Sequence, residues 1–196
     1  MILKNVLVLL VVSLCWACES KQPTMTYDEF ITKDREETTQ FMNESPDSPF
    51  ASADSTIRLN YYPINEKLKV LASVEIISNG SELTLGTSAG ELRVYIQYAY
   101  LKFVIEDQPQ QLLVLKGDEK EDGLFLAFTD LTSDETTYGG GRYLNLNFSD
   151  KAKKVTLDFN LAYNPYCEYS ATYSCPLPPV ENQLPIAIEA GEKLYN

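Results

Sequence analysis

The residues of this chain that could do chemistry are concentrated between Gly139 and Gly191. The carboxylate of Asp158, paired with that of Glu168 or Glu181, could serve as acid and base or as nucleophile in a hydrolase. Polar residues at strand ends and in proline-rich loops of this stretch could converge on one pocket. The candidate pocket residues are Arg142, Asp158, Asn160, Tyr163, Asn164, Glu181 and Asn182. Taken singly, each amide or carboxylate is more simply explained as a partner of backbone groups.

The 196-residue sequence contains no histidine. This count excludes Ser-His-Asp and Cys-His nucleophile pairs, and it excludes a zinc or iron site with histidine ligands. The glycines of TYGGGRY lack the spacing of a phosphate-binding loop, and the acidic loop GDEKEDG lacks the ligand spacing of an EF-hand. We therefore predict no cofactor and no metal site. Any catalysis would have to depend on carboxylates, lysines, tyrosines or an unpartnered cysteine.

The charge balance argues against a nucleic-acid partner. The chain has 28 acidic and 16 basic residues, for a net charge of -12. A surface of that sign repels phosphate backbones.

The N-terminus has the pattern of a targeting segment. Lys4 precedes an apolar run from Val6 to Val12, which is shorter than the roughly 20 residues that span a bilayer. This combination indicates a secretory signal over residues 1–17. Ala17 before Cys18 resembles a bacterial lipobox, whereas Cys15 follows Leu14 and is a poor acceptor. We expect Cys18 to carry the lipid, residues 18–25 to form a tether, and the protein to face the periplasm from a membrane.

Export favours a disulfide between Cys167 and Cys175, which enclose seven residues. A thiolate nucleophile or a metal pair is the alternative. Few neighbouring cations are available to lower a thiol pKa, so the alternative has less support.

The elements that must position these residues begin with a helix. Thr26 and Glu29 form a capping box at its start, and NESPDSP stops it. We expect Asp34, Arg35, Glu36 and Glu37 to face solvent. The predicted buried face consists of Tyr27, Phe30, Ile31, Thr38, Phe41 and Met42.

From Ile57 onward the pattern predicts eight or more strands. The segments are RLNYYPI, KLKVLASVEII, SELTLGT, residues 91–106, QLLVLKG, GLFLAFTD, RYLNLNF and KKVTLDFN. Asn79-Gly80 predicts a two-residue hairpin. The fold class is therefore mainly β: a single barrel- or sandwich-like antiparallel domain over residues 26–196, with one N-terminal amphipathic helix.

The C-terminal stretch resembles domain of unknown function family 1684. The matching motifs are Tyr138 to Leu144, Leu157 to Asn160, Tyr163 to Cys167, Cys175 to Leu184 and Ala190 to Glu192. The resemblance extends over about residues 26–194 and implies no established activity.

Two functions are compatible with these observations. The first is a non-enzymatic periplasmic module that binds a small molecule or an envelope component through the C-terminal loop region. The alternative is a histidine-free hydrolase that uses paired carboxylates. The first requires a concave surface near Arg142, Tyr163 and Glu181, and the second requires two carboxyl groups in one pocket.

Overall fold

A computed structural model describes residues 25–54, 56–117 and 123–195. Its helices and strands follow one another in chain order. They are α1 (Tyr27–Glu44), β1 (Lys69–Ile76), β2 (Glu82–Gly86), β3 (Leu92–Ile105), β4 (Gln108–Lys116), β5 (Leu124–Phe125), β6 (Ala127–Phe128), β7 (Arg142–Tyr143) and β8 (Lys154–Asp158). Short 3-10 turns occupy Glu66–Leu68, Phe159–Leu161, Tyr166–Glu168 and Val180–Asn182.

The strands form an open antiparallel sheet in the order β5-β4-β3-β1-β8, and β2 also pairs with β3. Strands β6 and β7 pair separately. The mainly β fold class with one N-terminal helix is confirmed. The described strands close no barrel.

Strand β4 is buried on both of its faces. Leu112 and Val114 belong to the main core, whereas Leu113 and Leu115 belong to a smaller cluster on the opposite side. Successive strand side chains point to opposite faces, so a run of four fully buried apolar residues requires cover on both sides. The C-terminal segment supplies part of the main cover through Leu184, Ile186, Ile188 and Ala190.

The hairpin predicted at Asn79-Gly80 is wrong. Strands β1 and β2 do not pair with each other; they pair one after the other along the same edge of β3. The Ser81 carbonyl accepts a hydrogen bond from the Gln97 amide at 3.0 Å, where the β3–β4 register shifts. A Cβ on Gly80 would lie 1.7 Å from the Gln97 carbonyl oxygen. The turn therefore passes tightly over β3, and only glycine fits there.

Two other predicted strands are shorter than the sequence suggested. RLNYYPI contributes only an isolated bridge between Tyr61 and Glu192, and RYLNLNF is a strand only at Arg142–Tyr143. The backbone groups of these segments form isolated hydrogen bonds with separate parts of the chain, and the Leu144 amide donates to the Leu126 carbonyl at 3.0 Å. The Tyr62 amide, for example, donates to the Gly191 carbonyl at 3.0 Å.

Helix α1 has the predicted capping box between Thr26 and Glu29. Ile31 and Met42 are its buried residues, whereas Phe30 and Phe41 remain 45% and 40% exposed. Asp34 and Arg35 are half-buried, contrary to the expected solvent-facing position. The helix therefore covers the domain incompletely, and a cleft remains beside it.

Candidate functional site

A cleft of about 630 Å³ separates α1 from the C-terminal half of the chain. One part of its lining is apolar, and another carries carboxylates and tyrosine hydroxyls. The apolar lining consists of Phe41, Met42, Leu144, Leu146, Leu157, Leu161 and Ala162. The carboxylates are those of Asp34, Glu37, Asp158 and Glu192, and the tyrosines are Tyr61, Tyr163 and Tyr166.

Four of the seven predicted pocket residues line this cleft: Asp158, Asn160, Tyr163 and Asn164. The other three, Arg142, Glu181 and Asn182, do not line it. The structure therefore brings together in one cleft only the predicted residues around the turn that follows β8.

Asp158 and Asn160 connect that turn to α1. Asp158 is the last residue of β8, and its Oδ1 accepts from the Asn160 amide at 3.1 Å. Both Asp158 carboxylate oxygens accept from the Tyr27 hydroxyl, at 2.8 and 2.9 Å. Asn160 donates to the same hydroxyl and accepts from the Asn65 amide at 2.8 Å. This network fixes the start of the helix against the end of the sheet.

The hydroxyl of Tyr27 is the donor in this network. Burial and the neighbouring Asp158 carboxylate raise the pKa of Tyr27 well above its usual value. The phenol therefore keeps its proton and remains available to hold Asp158.

Glu192 forms a second network at the cleft. It is 1% exposed; its Oε2 accepts from the Asn164 amide at 2.9 Å and its Oε1 from the Tyr169 hydroxyl. Asn164 Nδ2 donates to the Lys193 carbonyl at 2.8 Å, while Asn164 Oδ1 is buried without a partner in the described structure.

Glycine at position 191 allows Glu192 to reach this position. Gly191 has a φ of 75°, and a Cβ there would lie 2.6 Å from the Ala162 carbonyl oxygen. The Glu192 amide then donates to that same carbonyl at 2.8 Å. A side chain at Gly191 would force the C-terminal segment away from the cleft.

Two carboxyl groups of the cleft have raised pKa values. Burial raises the pKa of Glu192 to about 7, although hydrogen bonds from Tyr169 and Asn164 oppose the shift. Burial also raises the pKa of Asp34, and the nearby charge of Glu37 adds to this effect. The cleft therefore holds negative charge that its surroundings stabilise poorly.

Sequence reasoning did not select Glu192 or Asp34. Glu192 closes the Ala-Gly-Glu motif of the family signature, so the motif was a usable signal. The sequence pattern places Asp34 on the solvent side of the helix, because hydrophobic periodicity does not distinguish a side chain in solvent from one in a polar cleft.

Arg142 does not line the cleft, contrary to its predicted place in the pocket. Its contacts instead stabilise the fold. Arg142 is 1% exposed, and its Nη2 is 2.9 Å from Asp130 Oδ2. The guanidinium also donates to the carbonyls of Ile188, Ala190 and Glu192. Its Nη1 and Nη2 donors are therefore engaged with the protein itself.

Asn182 and Glu181 also lie away from the cleft. Asn182 is fully buried and bonds to the backbone of Leu113 and Ala127, so it links β4 with β6. Glu181 precedes it in the same 3-10 turn and is exposed.

The carboxylate pairs proposed for a hydrolase are not brought together in the cleft. Its lining includes Asp158 but neither Glu168 nor Glu181. Glu168 Oε1 instead accepts from the Tyr195 amide at 3.1 Å.

Cys167 and Cys175 are neighbouring free thiols, so the predicted disulfide is not formed. The Cys167 amide donates to Cys175 Sγ at 3.1 Å, and the Tyr138 hydroxyl lies 3.6 Å from Cys167 Sγ. Burial raises the pKa of the Cys175 thiol to about 12. A thiolate at Cys175 is therefore strongly disfavoured at neutral pH.

No group of three or more cysteine or acidic side chains within residues 25–54, 56–117 and 123–195 is arranged to hold a metal ion. In the same part of the chain, no helix combines the length and apolar character needed to cross a membrane. The signal over residues 1–17, the lipidation residue Cys18 and the tether up to residue 24 lie outside the described residues.

These elements define an open antiparallel β domain with one covering helix. Residues 57–193 match the family described as "Protein of unknown function (DUF1684)". Because this match spans most of the chain, the protein belongs to that family, and the resemblance inferred from the C-terminal motifs is confirmed. Helix α1 precedes the matched residues, so one side of the cleft lies outside the family match.

A solved structure shows a similar fold. It is the solution NMR structure of an uncharacterised protein from Haloarcula marismortui, with 34% sequence identity and a TM-score of 0.64. The similarity covers 85% of this chain and 94% of that chain. No curated protein matches the chain.

The raised pKa of Glu192 predicts a specific pH dependence of stability. Between its usual value of 4.5 and about 7, the folded chain holds a proton that the unfolded chain has released, so stability falls as pH rises. Substituting Glu192→Gln removes this slope. We expect the free energy of unfolding of the variant, relative to that of wild type, to rise by about 3 kcal/mol from pH 4.5 to pH 8.

The measurement is the free energy of unfolding in urea at both pH values. Glu189→Gln, at an exposed position nearby, is the matched control and should follow wild type. Parallel pH profiles for wild type and Glu192→Gln would show that Glu192 ionises normally.

Proposed function

We propose that this protein is a non-enzymatic ligand-binding module of the cell envelope, anchored to a membrane through Cys18, with the cleft beside α1 as its ligand site. The partner is a small molecule or a small part of an envelope component. The observation that carries the proposal is a preformed cleft that combines an apolar wall with convergent polar groups.

The size of the cleft supports this function. Its volume of about 630 Å³ falls within the roughly 300–1,000 Å³ typical of small-molecule sites. The networks at Asp158 and Glu192 hold both ends of the cleft in place by direct hydrogen bonds. Little ordering is then required when a ligand enters.

The state of the reactive groups favours binding over catalysis. Asp158 and Glu192 each use both carboxylate oxygens as acceptors within the protein. The sequence has no histidine, and Glu192, whose pKa is about 7, is 1% exposed and bonded within the protein. The cleft is therefore better suited to recognition than to proton transfer.

Location in the envelope is supported by the N-terminal sequence. An apolar run preceded by Lys4 and followed by Ala17-Cys18 matches the pattern of an exported lipoprotein. The acylated Cys18 would bring the cleft close to the membrane surface, since only residues 19–26 separate it from the start of α1.

A blocking substitution tests the ligand site. Thr38 is half-buried on the cleft side of α1, so Thr38→Trp should fill part of the cleft. We expect wild-type protein purified from the membrane fraction to carry a compound that mass spectrometry detects after denaturation. Its yield should fall several-fold in Thr38→Trp.

Lys33→Trp is the matched control, because Lys33 is exposed on the same helix and does not line the cleft. It should retain the compound. Equal recovery from all three proteins, or no enriched compound, would refute ligand binding at this site. Turnover of the recovered compound by purified protein would instead support the carboxylate hydrolase.

A separate substitution tests the anchor. Cys18→Ser should prevent acylation and move the protein from the membrane fraction to the soluble fraction, because an acylated N-terminus gives stable attachment. Intact mass and fractionation provide the readout. Cys15→Ser is the control and should leave acylation unchanged; a Cys18→Ser protein that still carries the lipid mass would contradict the assignment.

A further inference from the structure

The charged side chains that line the cleft are all acidic. The lining contains four carboxylates and, among the described residues, no lysine or arginine. Asp158 and Glu192 are hydrogen-bonded within the protein, and Glu37 forms a solvent-exposed ion pair with Lys33 at 3.4 Å. An exposed pair of this kind neutralises little charge.

Asp34 is the carboxylate with the least support. It is half-buried, and no hydrogen bond or ion pair within the described residues reaches its oxygens. The two cations adjacent in sequence are Lys33, which pairs with Glu37, and Arg35. Arg35 only partly opposes the raised pKa of Asp34, because it stacks over the Tyr61 ring at 4.6 Å and donates to the Tyr62 carbonyl. Arg35 lines the groove on the other flank of α1 rather than the cleft. A half-buried carboxylate in this position favours a cation from outside the protein.

Asn164 provides an independent indication of the ligand. It is fully buried and lines the cleft. Its amide and its Nδ2 are both bonded to the C-terminal segment, which leaves Oδ1 as an acceptor without a donor. An unpaired buried acceptor is unfavourable. A ligand with an N–H donor would satisfy this acceptor, and a positively charged ligand would neutralise the carboxylates.

The remaining lining indicates what else the ligand contains. Leu144, Leu146, Leu157 and Leu161 form an apolar wall beside the charged groups. A bare metal ion would leave that wall uncovered, and among the described residues no three of these carboxylates are arranged to hold a metal ion. An organic cation with an apolar body satisfies both parts of the lining.

We infer that the cleft binds an organic ammonium compound, with the N–H groups directed toward Asp34 and Asn164 and the apolar body against the leucine wall. This inference rests on the proposed function, since it names the ligand class of the same cleft. Asp34 then selects ligands that carry positive charge, and the leucine wall selects ligands with an apolar body.

Binding of a cation has a consequence for Glu192. Its carboxyl is surrounded by Tyr169, Asn164, Tyr61 and the charges of Glu168 and Arg142, and its pKa is about 7. The other carboxylates in the cleft are Asp34, Glu37 and Asp158. A bound cation stabilises the ionised form of Glu192, so binding should release protons near neutral pH and should tighten as pH rises through 7.

The test uses three probes of similar size and different charge: hexylammonium, hexanol and hexanoate. Each is titrated calorimetrically into the mature acylated protein in detergent, with Thr38→Trp protein as the blank. We expect hexylammonium to bind about tenfold more tightly than hexanol and hexanoate to show no saturable binding. Hexylammonium binding at pH 6.5 should release protons, which is measured by comparing buffers of different ionisation enthalpy.

Asp34→Asn separates charge selection from a structural effect. It should weaken hexylammonium binding about fivefold and leave hexanol binding unchanged. Glu36→Gln, an exposed neighbour outside the cleft lining, should change neither. Glu192→Gln should abolish the proton release.

Three results would overturn the inference: no saturable hexylammonium binding, equal affinity for hexylammonium and hexanol, or displacement of hexylammonium by an equal concentration of magnesium. If hexanol binds as tightly as hexylammonium and Thr38→Trp blocks both, the ligand class is wrong while the binding function stands. If Thr38→Trp leaves all titrations unchanged, the cleft itself is not the site.

Discussion

A buried ion pair between Arg142 and Asp130 determines the path of the C-terminal segment. Both side chains are 1% exposed, and a charge in such a place is tolerated only when its donors are fully bonded. Asp130 and the carbonyls of Ile188, Ala190 and Glu192 accept hydrogen bonds from Nη1 and Nη2 of the guanidinium. The segment must therefore run past the guanidinium, and this path places Glu192 in the cleft wall.

The strands and the helix were predictable because their signals are local. The many β-branched and aromatic residues of β3, the alternation in β1 and the capping box at Thr26 specify these elements without knowledge of their neighbours. The hairpin at Asn79-Gly80 was not predictable in this way. The same dipeptide that forms a two-residue hairpin also fits a turn between two strands that pair along one edge of a third. In this turn Gly80 passes so close to the Gln97 carbonyl that a Cβ would not fit.

The candidate site was predictable only in part. Asp158, Asn160, Tyr163 and Asn164 adjoin one another in sequence, so a single turn brings them together. The predicted position of Arg142 in the pocket is wrong, because its partners include backbone carbonyls distant in sequence. The sequence around an arginine in a polar motif does not indicate such partners. Asp34, Glu192 and the other residues that complete the cleft come from opposite ends of the chain, and only tertiary packing joins them.

The central structural claim is that an irregular C-terminal segment forms a fixed wall of the cleft. Amide hydrogen exchange measured by NMR tests it directly, since the amides of Ile188, Glu192 and Leu194 donate to Asp130, Ala162 and Thr136. These three amides should exchange as slowly as that of Leu113 in β4, which donates to Asn182 Oδ1. Exchange of all three at the rate of an unstructured peptide, with Leu113 still protected, would contradict the account.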